Sequence, residues 1–217
     1  MEIISLKGVY KSFWDNKVLQ EVNFSVEKGD IFGIVGPSGE GKSVMIKIIL
    51  GFFSPDKGKR ILETSQDKIG FSMQNNSLYE NLTTMQNINY FAKVYGVKRK
   101  VRKEYIPQLI RFMELENFKK TQVSKLSGGT KKRLDIACAL VNDPEILILD
   151  EPFLGLDPER INHLIGILTE LNKKGTTLII SSHRIQELSQ LCTKVGLIKN
   201  KEFKMIQKNE LTNVYKR

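Results

Sequence analysis

Cysteine, histidine and tryptophan are scarce in this sequence: two Cys, two His and one Trp among 217 residues. Cys138 and Cys192 stand far apart within apolar stretches and have no C-x-x-C spacing. That excludes a disulfide scaffold and a cysteine-rich metal site, and it reads as two core residues in a reducing compartment. No apolar run approaches the ~20 residues that a membrane-spanning helix needs. The opening Met1-Glu2-Ile3-Ile4 lacks the basic-then-apolar layout of a secretory leader. Internal repeats, low-complexity tracts and flexible linkers are also missing. These absences leave the expectation of a soluble intracellular chain, with 41% hydrophobic residues to build its core.

Positive charge is plentiful. Thirty-four Lys and Arg outweigh twenty-four Asp and Glu, for a formal net charge of +10. The basic residues cluster at Lys98-Arg99-Lys100, Arg102-Lys103, Lys119-Lys120 and Lys131-Lys132-Arg133. Such clusters can meet nucleic acid, anionic lipid or nucleotide phosphate. The aromatics do not alternate with them as base-stacking platforms would, so no nucleic-acid partner is expected. The clusters read first as solvated helix faces and second as a contact with the inner membrane surface.

The stretch with the most chemistry is Gly36-Pro37-Ser38-Gly39-Glu40-Gly41-Lys42-Ser43, which reads G-x-x-x-x-G-K-S. Ile31–Val35 before it is an apolar run fit for a buried parallel strand, and Val44–Leu50 after it suits a buried helix. A helix N-terminus leaves backbone N–H groups unpaired and carries partial positive charge, so it draws phosphate. Glycines let the backbone curl with its amides facing inward. Lys42 brings charge to the β- and γ-phosphates, and the Ser43 hydroxyl can ligate Mg2+. A glycine-rich turn that binds nothing would not need Lys-Ser there.

Around that loop the chain reads as follows. Residues 3–26 alternate loosely, as antiparallel strands with one covered face do. Within them Phe13 and Trp14 are packing residues by default, or one of them stacks on a purine. From about 75 to 125 the texture turns helical, with Ile106, Leu109, Ile110 and Met113 at helical spacing and Pro107 expected in the first turn. Leu134–Val141 reads as a helix stopped by Asn142-Asp143-Pro144, and Ile146–Leu149 as a strand. Asp157-Pro158 supplies an N-cap and a proline at the first helical position, and Gly175 a C-cap. Thr177–Ser181 is a buried strand; Val195–Ile198 and Phe203–Ile206 read as late edge strands. The last eleven residues are polar and basic.

Asp150 and Glu151 end an apolar strand, where an open α/β sheet places its ligand groups. This is the Walker B pattern: Asp150 would hold Mg2+ through water and Glu151 would orient or deprotonate an attacking water. His183 follows a strand of the same sheet, which would put it near the γ-phosphate; a cap or core role is the alternative. His163 lies mid-helix and reads as structural. Leu126-Ser127-Gly128-Gly129-Thr130 would open a helix with a second phosphate-binding terminus, or with an ordinary cap.

With these elements in this order, the chain resembles the ATP-binding subunits of ABC transporters along essentially its whole length. The P-loop at Gly36–Ser43, Gln74 of the Q-loop, the signature Leu126–Thr130, Ile146–Glu151, Gly155-Leu156-Asp157 and His183 carry that resemblance. It implies an α/β fold with a P-loop NTPase core on a mostly parallel sheet, an N-terminal antiparallel β subdomain and an inserted helical subdomain. One domain would cover 1–217, with about 1–74 and 126–217 as core and about 75–125 as the helical part. It implies ATP and Mg2+ as ligands, and a head-to-tail dimer in which ATP on one P-loop is capped by Ser127, Gly128 and Gly129 of a second ATPase subunit. Phe13, with Trp14 as the fallback, would stack on adenine. Gln74 would ligate Mg2+ and sense the γ-phosphate, Glu151 would be the catalytic base, His183 would touch the γ-phosphate, and Asp157 would link the dimer.

Three residues depart from the family pattern. Val44 replaces the usual Thr and loses an α-phosphate contact, Phe13 replaces the commoner tyrosine, and Thr130 replaces Gln. Lys42, Asp150, Glu151 and His183 remain, so hydrolysis is expected to survive. Leu78–Gly96 resembles exporter-type subunits, which inclines the reading to export, with integral-membrane permease subunits as partners and a place on the inner face of the cell membrane. The chain stops soon after its last strands, so no C-terminal regulatory domain is expected. The alternatives are a soluble single-cassette ATPase, such as one for Fe–S assembly, and a nucleotide sensor that no longer turns over.

Overall fold

Two long strands, β1 (Glu2–Phe13) and β2 (Asn16–Glu27), open the chain as an antiparallel hairpin. Its tip is Trp14, left-handed at φ 56° and 97% exposed. Then come β3 (Ile31–Val35) and α1 (Lys42–Ile49), followed by β4 (Lys57–Leu62), which pairs antiparallel with β1. The computed structural model describes residues 1–207 and Leu211, so most of the basic tail lies outside the described residues.

The remaining elements are β5 (Ile69–Ser72), α2 (Thr84–Val94), α3 (Arg99–Phe112), α4 (Gly128–Ala139), β6 (Ile146–Asp150), α5 (Pro158–Lys173), β7 (Thr177–Ser182), α6 (Ile185–Leu191), β8 (Lys194–Lys199) and β9 (Glu202–Ile206). One nine-stranded sheet runs β4-β1-β2-β9-β8-β3-β7-β6-β5. From β8 through β5 every pairing is parallel, and the β1, β2 and β4 arm is antiparallel. Strands buried on both faces read as continuous apolar runs, which is why IFGIV, the ILIL of β6 and the LII of β7 are unbroken, with Asp150, Ser181 and Ser182 at the carboxyl ends of β6 and β7.

Successive strand residues point to opposite faces. Ile31, Val35, Leu147, Leu149, Leu178 and Ile180 therefore join one core with residues of α2 through α6. Phe32, Ile34, Ile146, Ile148 and Ile179 join the other, against α1 and the β1–β2 hairpin. Register then sets the site. Val35 lies opposite Ser182, Asp150 opposite Ser181, and Ser72 opposite Leu149. The carboxyl ends of β3, β5, β6 and β7 thus lie along one edge, where doubly wound sheets bind their ligands.

Three sequence expectations fail. Strands β8 and β9 are internal: β8 pairs with β3, and β9 meets β2 through Gln20↔Glu202, so they join the parallel sheet to the antiparallel arm. Pro107 is not in a first turn but inside α3, because the charged stretch from Arg99 to Glu104 is itself helical. An interior proline costs about 3 kcal/mol, offset here by the buried Ile106, Leu109 and Ile110 beside it. Lys132 is not on a solvated face; it is buried on α4. The first helix also starts earlier than Val44, at Lys42, while α4 opens at Gly128 with Ser127 as its cap, in line with the helix start read at Leu126–Thr130. Cys138 and Cys192 are buried, as expected.

Candidate functional site

Between β3 and α1 the loop must reverse tightly while keeping its amides inward. Gly39 and Gly41 take left-handed φ of 86° and 104°, a region that glycine enters without strain. Gly41 is the N-cap of α1, and no acidic side chain occupies the first turn to neutralise its positive end. A Cβ at Gly36 would overlap the Ile198 carbonyl, and one at Gly41 would meet Val18 Cγ1 at 2.9 Å. Glycine at 36 and 41 lets the loop pack this closely on β8 and on the β1–β2 hairpin.

Lys42 folds back over this cradle. Its Nζ donates to the carbonyls of Gly36 (2.8 Å) and Pro37 (3.0 Å) and lies 3.3 Å from Glu151 Oε1. Glu151, just past β6 at φ 49°, is buried. Its amide donates to the Ser181 hydroxyl and carbonyl, both at 3.1 Å. Its Oε2 lies 3.0 Å from His183 Nδ1 and accepts the His183 amide at 3.4 Å. One carboxylate therefore joins the lysine of the first helix to the histidine after β7. Asp150 sits beneath, 1% exposed, accepting the Ser181 hydroxyl at 2.5 Å.

These groups surround a cavity of about 650 Å3, a size suited to a small-molecule ligand. Its wall includes Pro37, Ser38, Gly39, Gly41, Lys42, Ser43 and Val44 from the loop and α1, together with Gln74, Glu151 and His183. Gly36 lies outside the wall against Ile198, and Glu40 turns away to accept the Lys201 amide at 3.1 Å. Phe13 is also outside it, packed edge-on to Phe53 with a centroid distance of 5.3 Å.

Ser127, Gly128, Gly129 and Asp157 are not brought to this cavity. Ser127 N-caps α4, accepting the Thr130 amide at 3.3 Å, with Thr130 Oγ1 at 2.9 Å from its Oγ. Ser127 and Gly129 border a separate hollow of about 60 Å3. Asp157 N-caps α5 through the Arg160 amide at 3.0 Å. His163, read as structural, pairs with Glu114 at 2.8 Å beside that hollow.

Three contributors escaped the sequence. Val18 and Leu154 line the cavity, and Ser181 anchors both carboxylate residues. Leu154 had no distinguishing signal: it sits between Phe153 and Leu156 in an apolar loop, and only the fold buries those two and leaves Leu154 exposed. Ser181 could be found from its place one strand over from Asp150, once the β6–β7 pairing is assumed. Val18 depends on a contact between hairpin and P-loop that no local pattern encodes.

A strand, a glycine loop, a buried lysine at a helix start, and a carboxylate pair at the end of β6, two strands away, together define a P-loop nucleotide hydrolase. The ABC transporter family model matches residues 19–154. The chain is 34% identical to Nod factor export ATP-binding protein I of Bradyrhizobium diazoefficiens, over 91% of this chain and 67% of that protein. To the linearmycin resistance ATP-binding protein LnrL of Bacillus subtilis it is 33% identical, over 90% of this chain and 66% of that one. It thus spans about two thirds of the length of these relatives. Among solved structures it superimposes on cbiO1 of Clostridium perfringens, part of the ABC transporter complex cbiONQ, with a TM-score of 0.89 at 25% identity, covering 99% of this chain and 92% of that one. The chain belongs to the ABC transporter family and is its ATP-binding cassette, whose ATPase activity is coupled to transport.

Proposed function

We propose that this cassette is the motor subunit of a membrane exporter and works as a head-to-tail dimer. The observation that carries the dimer is the separation of the two phosphate-binding termini: the P-loop borders one cavity, and Ser127 and Gly129 border another. A nucleotide held by the first can be closed over only by a second surface, which the signature of another copy or a related subunit supplies. Asp157, exposed next to Gly155-Leu156, would meet that partner.

In the cavity, Lys42 and the amides from Gly39 to Ser43 hold the phosphates, and Val18 offers the base an apolar wall. Phe13, at the end of β1, would have to leave Phe53 to stack on adenine. The residues fit Mg2+ as well: Ser43 and Gln74 line the wall with oxygen-bearing side chains, and the buried Asp150 next to Glu151 would act through water. The ion's contribution is charge neutralisation across the phosphates. Phosphates drawing Lys42 to themselves would free Glu151 to orient the attacking water and take its proton. His183 would then donate to the γ-phosphate and steady the carboxylate.

Export rests on the two relatives named for export and for drug resistance. No helix among the described residues is long and apolar enough to cross a membrane, so attachment to the inner face of the membrane would come from permease subunits. The test is purification of the tagged chain from native membranes in mild detergent. Recovery with an integral-membrane permease is expected; recovery with water-soluble proteins alone would overturn the transporter reading.

A further inference from the structure

Gln74 reaches the nucleotide cavity from a short loop after β5, and the two feet of that loop are held by buried charges of α4. Lys132 Nζ donates to the Ser72 hydroxyl at 3.1 Å and to the Met73 carbonyl at 3.3 Å. Asp135, one turn further on, accepts the Ser72 hydroxyl on Oδ2 and the Ser77 amide on Oδ1, the latter at 3.4 Å. Lys132 and Asp135 lie 3.8 Å apart, with side chains 9% and 6% exposed. Ser72 and Met73 precede Gln74 and Ser77 follows it, so four polar contacts bracket the glutamine from one helix.

Two charges in an interior are costly, and apolar residues of similar volume usually fill such a place at least as well. Burial pushes the Lys132 ammonium down from its ordinary range and the Asp135 carboxyl up, and each opposes the shift of the other. The polar contacts this pair makes outside α4 are those to Ser72, Met73 and Ser77 around Gln74. Helix α4 carries the Ser127-Gly128-Gly129 terminus at its start, and Lys132 sits only about 7 Å further along the helix axis at 1.5 Å per residue. The loop with Gln74 and the terminus that meets a partner's nucleotide are therefore tied to the same stiff rod.

We propose that Lys132 and Asp135 are positioning residues for Gln74: they lock both feet of its loop to α4, so that the glutamine and the Ser127-Gly128-Gly129 terminus move as one unit. This rests on the reading of the cavity as the ATP site. The chemistry of the clamp is specific. Lys132 supplies donors that reach one hydroxyl and one carbonyl together, and Asp135 has one oxygen for each foot of the loop.

The test compares the full chain with Lys132→Met, Lys132→Arg and Ser72→Ala. It measures ATP affinity by calorimetry, steady-state hydrolysis, and amide hydrogen exchange over residues 73–77. Lys132→Met is expected to keep its ATP Kd within about twofold while kcat falls about tenfold, with faster exchange at 73–77. Lys132→Arg, which retains donors and charge, restores at least half of kcat. Ser72→Ala, which deletes only the shared hydroxyl, lowers kcat about threefold and decides the matter if Lys132→Met does not fold. Unchanged kcat in folded Lys132→Met or in Ser72→Ala overturns the clamp. So does a parallel loss of affinity and kcat, or an arginine variant no better than methionine. A wild-type chain that binds no ATP overturns the ATP-site reading and the clamp together, whereas active wild type with unaffected variants overturns the clamp alone.

Discussion

Replacing Lys42 by methionine removes one partner from a buried pair and leaves Glu151 facing His183 alone. At 3.3 Å and an effective dielectric near 20, the attraction lost is about 5 kcal/mol before desolvation is counted. Breaking a buried pair from one side costs about 3–5 kcal/mol, because the remaining charge stays buried. The carbonyls of Gly36 and Pro37 also lose their donor. Near 1 kcal/mol per ~2–4 °C for a chain of this size, the nucleotide-free variant should melt about 6–20 °C below wild type. Adding ATP at a hundred times its Kd stabilises wild type by about 2.7 kcal/mol, and the variant should show none of that gain. Scanning calorimetry with and without ATP reads both effects. Glu151→Gln removes the stranded charge, so Lys42→Met in a Glu151→Gln background should cost much less than in wild type. Equal costs in the two backgrounds, or a Lys42→Met chain still stabilised by ATP, would refute the argument.

Val44→Thr places a hydroxyl on the cavity wall and should tighten ATP about tenfold, the worth of one hydrogen bond to a charged group, with kcat maintained; unchanged affinity in calorimetry would remove Val44 from the phosphate path. Asp56 accepts Lys11 Nζ at 2.7 Å and the Ser12 amide at 2.6 Å, and the Lys11 contact foremost holds its carboxyl below the ordinary value of 3.8. A depressed folded value gives stability that is complete above the unfolded pKa and lost as pH falls through the folded one. The melting gap between wild type and Asp56→Asn should therefore be constant near neutrality, shrink below about pH 4 and close at lower pH; a gap that widens on acidification would contradict the sign.

The parts of this protein that were legible in the sequence are those whose physics is local. β3 and β6 are short apolar runs with sharp ends, and the glycine loop, the Asp157-Pro158 start of α5 and the Asp150-Glu151 pair each need residue types at fixed offsets. Pairing over long separations was not legible. Nothing within β8 or β9 says that they fill the middle of the sheet, because that depends on β2 and β3 more than 160 residues earlier. Lys132 was misread for a related reason. A lysine between two basic neighbours belongs to a solvated face by pattern, and only the approach of β5 from another part of the chain buries it. Phe13 reads from the sequence as a ring for adenine, and its ring rests on Phe53, a contact made by tertiary packing alone.

On this reading Gly36–Ser43 forms half of a site, completed by Ser127-Gly128-Gly129 of a second subunit. Glu151→Gln tests it most directly, because it should stop hydrolysis while leaving the cradle and Lys42 able to hold ATP. By size-exclusion chromatography with light scattering, the variant should run as a dimer with ATP and Mg2+ and as a monomer without nucleotide. A Glu151→Gln chain that binds ATP and remains monomeric would contradict the account.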